Sequence, residues 1–84
     1  MDAAMIGKIE KALQYAQEPD RLHINSFKIT FKGDHHDHLV SYNDGTWHCD
    51  CSFFKARGVC SHIMTIERTL AGMVEPAEAV PTPA

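Results

Sequence analysis

Four residues whose side chains bind soft metal ions lie close together in the second half of the chain. They form the pattern Cys-x-Cys-x8-Cys-x-His, which runs from Cys49 and Cys51 to Cys60 and His62. Three thiolates and one imidazole are a standard tetrahedral ligand set for zinc. Because protein atoms fill all four positions of that tetrahedron, no position is left for water or a substrate. The pattern therefore predicts one structural Zn²⁺ and no enzymatic activity or small-molecule substrate.

The cysteine usage favours metal binding over disulfide bonds. The chain contains 3 cysteines, and an odd number argues against a closed disulfide framework. Cys49 and Cys51 would also make a poor disulfide, because one intervening residue closes a very short, strained loop. No apolar run resembles a signal peptide or approaches the roughly 20 residues that span a bilayer. We expect a protein of the reducing cytoplasm that has no membrane partner.

The length of the chain makes a stabilising ion necessary. An 84-residue chain forms one small domain, which buries too little apolar surface to be comfortably stable. Structural zinc contributes an apparent binding free energy of about 10–16 kcal/mol in zinc-finger peptides. Since typical domains are stable by only about 5–15 kcal/mol, zinc binding is expected to decide whether the chain folds.

The N-terminal region, residues 1–20, is predicted to form an amphipathic helix over 2–17. Its apolar residues recur at helical spacing, and Pro19 ends the element. We expect this apolar stripe to dock on the zinc-binding domain or on another chain, since an isolated helix of this length is marginal. The stripe consists of Met5, Ile9, Ala12 and Ala16, with Ile6 and Leu13 beside it.

The zinc-binding domain, residues 21–72, is predicted to begin with three strands. Alternating apolar residues indicate a strand over 22–32, with a bulge near Asn25-Ser26 where the alternation changes phase. The second strand is expected over 38–42. Asn43-Asp44-Gly45 is a strong hairpin signal and leads into a third strand over 46–51, which places Trp47 and Cys49 on one face.

The rest of the chain completes a small α+β fold. Residues 53–58 are predicted to be a short connection, either irregular or one helical turn, that Gly58 closes. Residues 61–71 are predicted to be a helix with Ile63, Ile66 and Leu70 as its core stripe. Residues 73–84 contain little to bury and are predicted to be a disordered tail. The predicted fold is a zinc-stabilised three-stranded antiparallel meander followed by a C-terminal helix, with an extra N-terminal helix.

The arrangement resembles the SWIM zinc finger over roughly residues 26–71. That family has the motif CxCx(n)CxH, and here n is 8, with strands and Trp47 before the motif and Phe53-Phe54 and a helix after it. The chain is most similar to small stand-alone prokaryotic members. The resemblance implies that Cys49, Cys51, Cys60 and His62 are the ligands. It also implies binding to protein or DNA, as larger proteins with this finger are thought to do.

Two kinds of partner follow from these features. The net charge of −3 favours a protein partner, because proteins whose affinity for nucleic acid comes mainly from phosphate contacts are clearly basic. A protein-interaction adaptor is therefore the expected function, and binding of DNA or RNA through a local basic surface is the alternative. The residues that would make this surface are Lys28, Lys32, Lys55, Arg57 and Arg68.

Other side chains admit a functional or a structural interpretation. His35, His36 and His38 can be read as a second metal site, but adjacent histidines on a turn do not converge naturally, and a solvated hairpin tip is the preferred interpretation. Trp47 and the pair Phe53-Phe54 can be read as a base-stacking platform. We expect Trp47 and at least one of the phenylalanines to belong to the core instead.

Overall fold

A computed structural model of the chain describes residues 2–77 and confirms the predicted α+β architecture. The elements were predicted in the right order, and most of their bounds agree to within a few residues. They are α1 (Ala3–Ala16), a 3₁₀ turn (Pro19–Arg21), β1 (Ser26–Lys32), β2 (Asp37–Asn43), β3 (Thr46–Cys49), α2 (Ser52–Arg57) and α3 (Ser61–Thr69).

The three strands form an antiparallel meander in the order β1-β2-β3. Between β2 and β3, Asp44 and Gly45 have φ angles of 46° and 91°. A tight two-residue hairpin turn of this kind matches the twist of the strands it joins, and Asp and Gly tolerate positive φ. The turn fixes the register, in which Tyr42 lies opposite Trp47 on one side and Phe27 on the other.

One face of the sheet forms the core. Along the strands, exposed and protected residues alternate, as expected when one face packs and the other meets water. The inner face carries Val40 and Cys49, which are fully buried. Helix α3 covers this face with the stripe predicted from the sequence, of which Ile63 and Ile66 are buried and Leu70 packs at the edge. The core therefore lies between the sheet and α3.

The structure differs from the prediction around the first and third strands. Strand β1 begins at Ser26, so the predicted segment 22–25 lies outside it and no bulge is needed. Strand β3 ends at Cys49, and of the two conformations predicted for the connection the helical one forms, as helix α2. The Cys51 side chain caps the start of α2, and Gly58 ends it with a φ of 79°. That left-handed geometry is the usual glycine stop of a helix.

The segment after α3 is packed, which corrects the predicted boundary of the disordered tail. The Trp47 indole N–H donates to the Glu75 carbonyl at 2.9 Å, and the Glu75 N–H donates to the Tyr42 hydroxyl at 2.9 Å. Ala77 is buried, and its N–H donates to the Glu67 carboxylate. Residues 73–77 therefore belong to the domain. The rest of the predicted tail, 78–84, lies outside the described residues.

Helix α1 forms as predicted but does not dock on the sheet. Asp2 caps it by accepting a hydrogen bond from the Met5 N–H at 2.8 Å. Every residue of α1 is exposed. The radius of gyration of 16.7 Å exceeds the roughly 12 Å expected for a compact chain of this length, consistent with a helix that projects from the domain.

Within residues 2–77, no helix combines the length and the apolar character needed to cross a lipid bilayer.

Candidate metal centre

The four predicted ligands come together where β3, α2 and α3 meet. Cys49 is the last residue of β3, and Cys51 and Cys60 are the N-cap residues of α2 and α3. His62 lies in the first turn of α3. Because β3 stops between the first two cysteines, the chain turns there and both sulfurs can face the same point. The local structure thus provides the curvature that a CxC pair at a strand end requires.

Two edges of the ligand group match those of a tetrahedral ion. The sulfur atoms and the ligating nitrogen all lie within 4.8 Å of one another. His62 Nδ1 is 3.5 Å from Cys49 Sγ and 3.7 Å from Cys60 Sγ. Zinc–sulfur bonds of about 2.3 Å and zinc–nitrogen bonds of about 2.0–2.1 Å make the S···N edge of a tetrahedron about 3.6 Å long. The group can therefore hold a metal ion, with Nδ1 as the nitrogen ligand.

Helix starts create a favourable environment for thiolate. The Phe54 N–H donates to Cys51 Sγ at 3.4 Å. Burial acts to raise the pKa of Cys51, but this hydrogen bond and those from neighbouring groups outweigh it and lower the pKa below 9.0. A thiolate at a helix N-terminus also gains from the positive end of the helix dipole. Cys51 is thus the thiol most ready to bind a cation.

The other thiols need a cation before they ionise. Burial raises the pKa of Cys49 to about 12 and also raises the pKa of Cys60. Burial, with the nearby His38, lowers the pKa of His62, so that its imidazole is neutral at pH 7. A bound divalent ion reverses the effect on the thiols because it supplies the missing positive charge. The donor set therefore fits an ion that takes two or three thiolates and one neutral imidazole.

Two rings, Phe31 and His38, lie against the imidazole of His62, and a third residue, Asp50, hydrogen-bonds one of them; the spacing of the ligands did not indicate this role for any of the three. The Phe31 ring lies 4.8 Å from the His62 ring, and the His38 ring stacks on it at 4.3 Å. His38 in turn hydrogen-bonds Asp50. Strand alternation places Phe31 and His38 on the inner face, which was a usable signal. Their meeting with His62 depends on how α3 packs, and no local pattern specifies that.

The predicted basic surface is divided between the two sides of the sheet. Lys28 and Lys32 are exposed on the outer face of β1, whereas Arg68 is exposed on α3, which covers the inner face. Lys55 and Arg57 are exposed on α2, and the Arg57 guanidinium lies 5.5 Å from the Phe53 ring. The structure therefore keeps Arg68 apart from the lysines of β1.

Within residues 2–77, the histidines and aromatic residues that admitted a functional interpretation lie in different environments. The structure contains one candidate metal-binding group there, and His35 and His36 stay exposed on the turn before β2. Trp47 is buried and Phe54 packs against the core, as expected. Phe53 is 54% exposed. His38 contributes to the surroundings of His62, which the sequence did not indicate.

Comparison with known proteins gives no match: no family profile, curated protein or solved structure corresponds to the chain. The capacity to bind a metal ion therefore rests on the geometry of this chain. The resemblance to the SWIM finger rests on its ligand spacing and order of elements.

Proposed function

We propose that the chain is a structural zinc-binding module of the SWIM type that acts as a protein-interaction adaptor. The observation that carries this proposal is the convergence of Cys49, Cys51, Cys60 and His62 within 4.8 Å. Soft thiolates in a tetrahedral arrangement favour zinc over harder divalent ions. The order of a hairpin, the CxC pair, a short connection and a CxH helix supports the comparison with the SWIM finger.

The site supports a structural role for the ion. Four protein ligands complete a tetrahedron, and structural zinc sites are closed in this way, whereas catalytic sites keep one position for water or substrate. We infer that the module is not an enzyme. Three free thiols at one site also favour a reducing compartment, such as the cytoplasm, where they stay available for metal.

Helix α1 is the best candidate for contact with a partner protein. Its exposed apolar residues include Met5, Ile9 and Leu13, which are 51%, 40% and 63% exposed. At 100° per residue, these side chains share one side of the helix. Lys8 lies beside the Met5 edge of the apolar stripe. The surface fits the mode in which an amphipathic helix lies in an apolar groove, here a groove with an acidic rim.

The proposal is tested in two stages with the full chain. Elemental analysis and native mass spectrometry of freshly purified protein should find one zinc per chain. Wild type should capture a protein partner by cross-linking, and this binding should saturate with a measurable affinity. The Leu13→Asp variant should lose that partner. Gln14→Asp, which adds the same charge outside the apolar stripe of α1, is the matched control. A folded protein without stoichiometric metal would refute the zinc module, and equal capture by both variants would refute the role of α1.

Nucleic acid is the second candidate, because Lys28 and Lys32 are exposed together on the outer face of β1. Phosphate contacts make affinity fall steeply with salt. A salt titration with labelled single- and double-stranded DNA and RNA separates this candidate from the first. Binding that is steep in salt and lost in the Lys28→Glu, Lys32→Glu double variant would support it, and no binding at low salt would remove it.

A further inference from the structure

We propose that His38 and Asp50 are positioning residues that hold the His62 imidazole in its metal-binding orientation. This inference rests on the proposed zinc module. His62 belongs to α3, whereas His38 belongs to β2 and Asp50 follows β3. The three side chains therefore connect the element that carries the imidazole to the sheet that carries Cys49.

The His62 ring is held from two directions. His38 stacks on it with ring centroids 4.3 Å apart and an interplanar angle of 29°. The Phe31 ring approaches at 4.8 Å with an angle of 59°. With these rings in place, rotation about the His62 side-chain bonds meets steric resistance, and Nδ1 stays directed at the sulfurs of Cys49 and Cys60. A fixed imidazole loses less conformational entropy when it binds an ion.

Asp50 sets the orientation of His38 in turn. The His38 Nδ1–H donates to Asp50 Oδ1 at 3.0 Å, because an ionised carboxylate can only accept. The second oxygen, Oδ2, accepts the Leu39 N–H at 3.2 Å, and the Asp50 N–H donates to the Leu39 carbonyl at 3.3 Å. Asp50 therefore fastens the loop between Cys49 and Cys51 to β2 while it orients the ring that covers His62.

His38 is positioned to support a ligand and not to serve as one. Its Nδ1 is engaged by Asp50, and the edge carrying Nε2 faces Gly33. A side chain at Gly33 would bring its Cβ within 3.1 Å of His38 Cδ2 and 2.7 Å of the His36 carbonyl oxygen. Glycine at this position leaves room for the ring. Groups that hydrogen-bond a ligating histidine typically change metal affinity by about 10–100-fold when they are removed, and a stacked ring, which makes no hydrogen bond to the ligand, belongs at the lower end of that range.

The test measures zinc affinity by competition with a chromophoric chelator, together with the visible ligand-field spectrum of the Co²⁺-loaded full chain. His38→Ala removes both the stack and the hydrogen bond, and should weaken zinc binding about tenfold and change the Co²⁺ spectrum. His38→Phe keeps a ring over His62 and should recover most of the affinity. His35→Ala, on the exposed turn before β2, is the matched control and should behave as wild type.

Asp50 is tested through a double-mutant cycle. Asp50→Ala should weaken zinc binding severalfold in wild type and by less when His38 is already alanine, because part of its effect acts through that ring. The proposal is overturned if wild type binds one zinc while His38→Ala matches it within twofold and leaves the Co²⁺ spectrum unchanged. That result leaves the zinc module intact, whereas a wild type without stoichiometric zinc refutes the module itself. If His38→Ala does not fold with zinc, Asp50→Ala takes its place, because it removes the hydrogen bond that orients His38 and keeps the ring; zinc affinity within twofold of wild type and an unchanged Co²⁺ spectrum in that variant would then overturn the proposal.

Discussion

Helix α1 and the metal-binding region are built from similar amphipathic elements, but only one of them is packed. Helix α3 buries Ile63 and Ile66 against the sheet, whereas no residue of α1 is buried. Both helices have an apolar side, so amphipathicity alone does not determine where a helix packs. The difference is that α3 begins at two of the candidate ligands, Cys60 and His62, and its first turn lies at the end of β3.

The comparison indicates two sources of order in one chain. In the metal-binding region, a bound ion would join β3 to the start of α3 and its binding free energy would become folding free energy. In α1, hydrogen bonds within the helix and the Asp2 cap act without tertiary packing, and a lone helix of this length is marginal. Substitutions in the metal-binding region should therefore act through zinc binding and the packed core, whereas substitutions in α1 should act only on the local helix.

The largest effect is expected from removing a buried ligand. Cys49→Ala leaves three ligands at the centre, and the zinc contribution it weakens, about 10–16 kcal/mol in zinc-finger peptides, exceeds the stability of most small domains. We expect the sheet and α3 to lose their dispersed amide signals in NMR spectra, with α1 signals changing least. His48→Ala is the control, because His48 lies on the opposite face and packs against Phe54. A well-dispersed Cys49→Ala spectrum without metal would contradict the dependence on zinc.

The next effect is a steep dependence of zinc binding on pH. In the metal-free chain, burial raises the pKa of Cys49 to about 12 and raises that of Cys60, so both hold protons at pH 7. The lowered pKa of His62 means that its imidazole has no proton to release there. Zinc should therefore displace about two to three protons, and the apparent affinity should fall about 100- to 1,000-fold per pH unit on acidification.

Calorimetry of zinc binding in buffers of different ionisation enthalpy counts these protons directly. The stability of the metal-free chain depends on pH in the opposite direction from its zinc affinity. A thiol whose pKa is raised on folding stabilises the fold while it is protonated, and this stabilisation is lost as the pH rises above the ordinary value of 9.0. Fewer than one proton released per zinc at pH 7 would show that the thiols are already ionised in the folded chain.

A smaller effect is expected from deleting residues 74–84. The deletion removes the Glu75 groups that partner Trp47 and Tyr42. Leaving two largely buried polar groups without partners costs about 1–3 kcal/mol each, so we expect the free energy of unfolding of the zinc-loaded protein to fall by about 2–6 kcal/mol. A chain that ends at Ala77 keeps every contact named here and is the control. Equal melting temperatures for the two truncations would show that this segment contributes nothing.

This segment illustrates what the sequence could and could not reveal. Three predictions came from local patterns and agree with the structure. The spacing of the four Cys and His residues predicted that they come together, Asn43-Asp44-Gly45 predicted the hairpin turn, and alternating apolar residues predicted which face of the strands is buried. The packing of 73–77 depends on contacts across about thirty positions, from Trp47 to Glu75, which composition does not encode. A buried Trp and Tyr each carry a polar group that requires a partner, and this was the available clue.

The network of Asp50, His38 and His62 was missed for a related reason. Spacing predicted His62 as a metal ligand, but the register of β1 and β2 decides which side chains surround it. His38 lies opposite Phe31 in that register, so the two rings that hold His62 come from neighbouring strands. Predicting this requires the register and the docking of α3 together, whereas the ligand motif is contained within one short stretch.

The smallest effect on stability is expected in α1, where the same substitution can be compared with its counterpart in the core. Ile63→Ala removes a fully buried side chain and should destabilise the zinc-loaded protein by about 2–5 kcal/mol. Ile9→Ala changes a side chain that is 40% exposed and should alter stability by no more than about 0.5 kcal/mol, since alanine is also the better helix former. Urea unfolding of both variants, zinc-loaded and at equal protein concentration, measures the difference. A loss above about 1 kcal/mol for Ile9→Ala would exceed that surface-site range. It would mean that α1 is packed in solution, against the domain if the loss is independent of protein concentration and against a second copy if it is not.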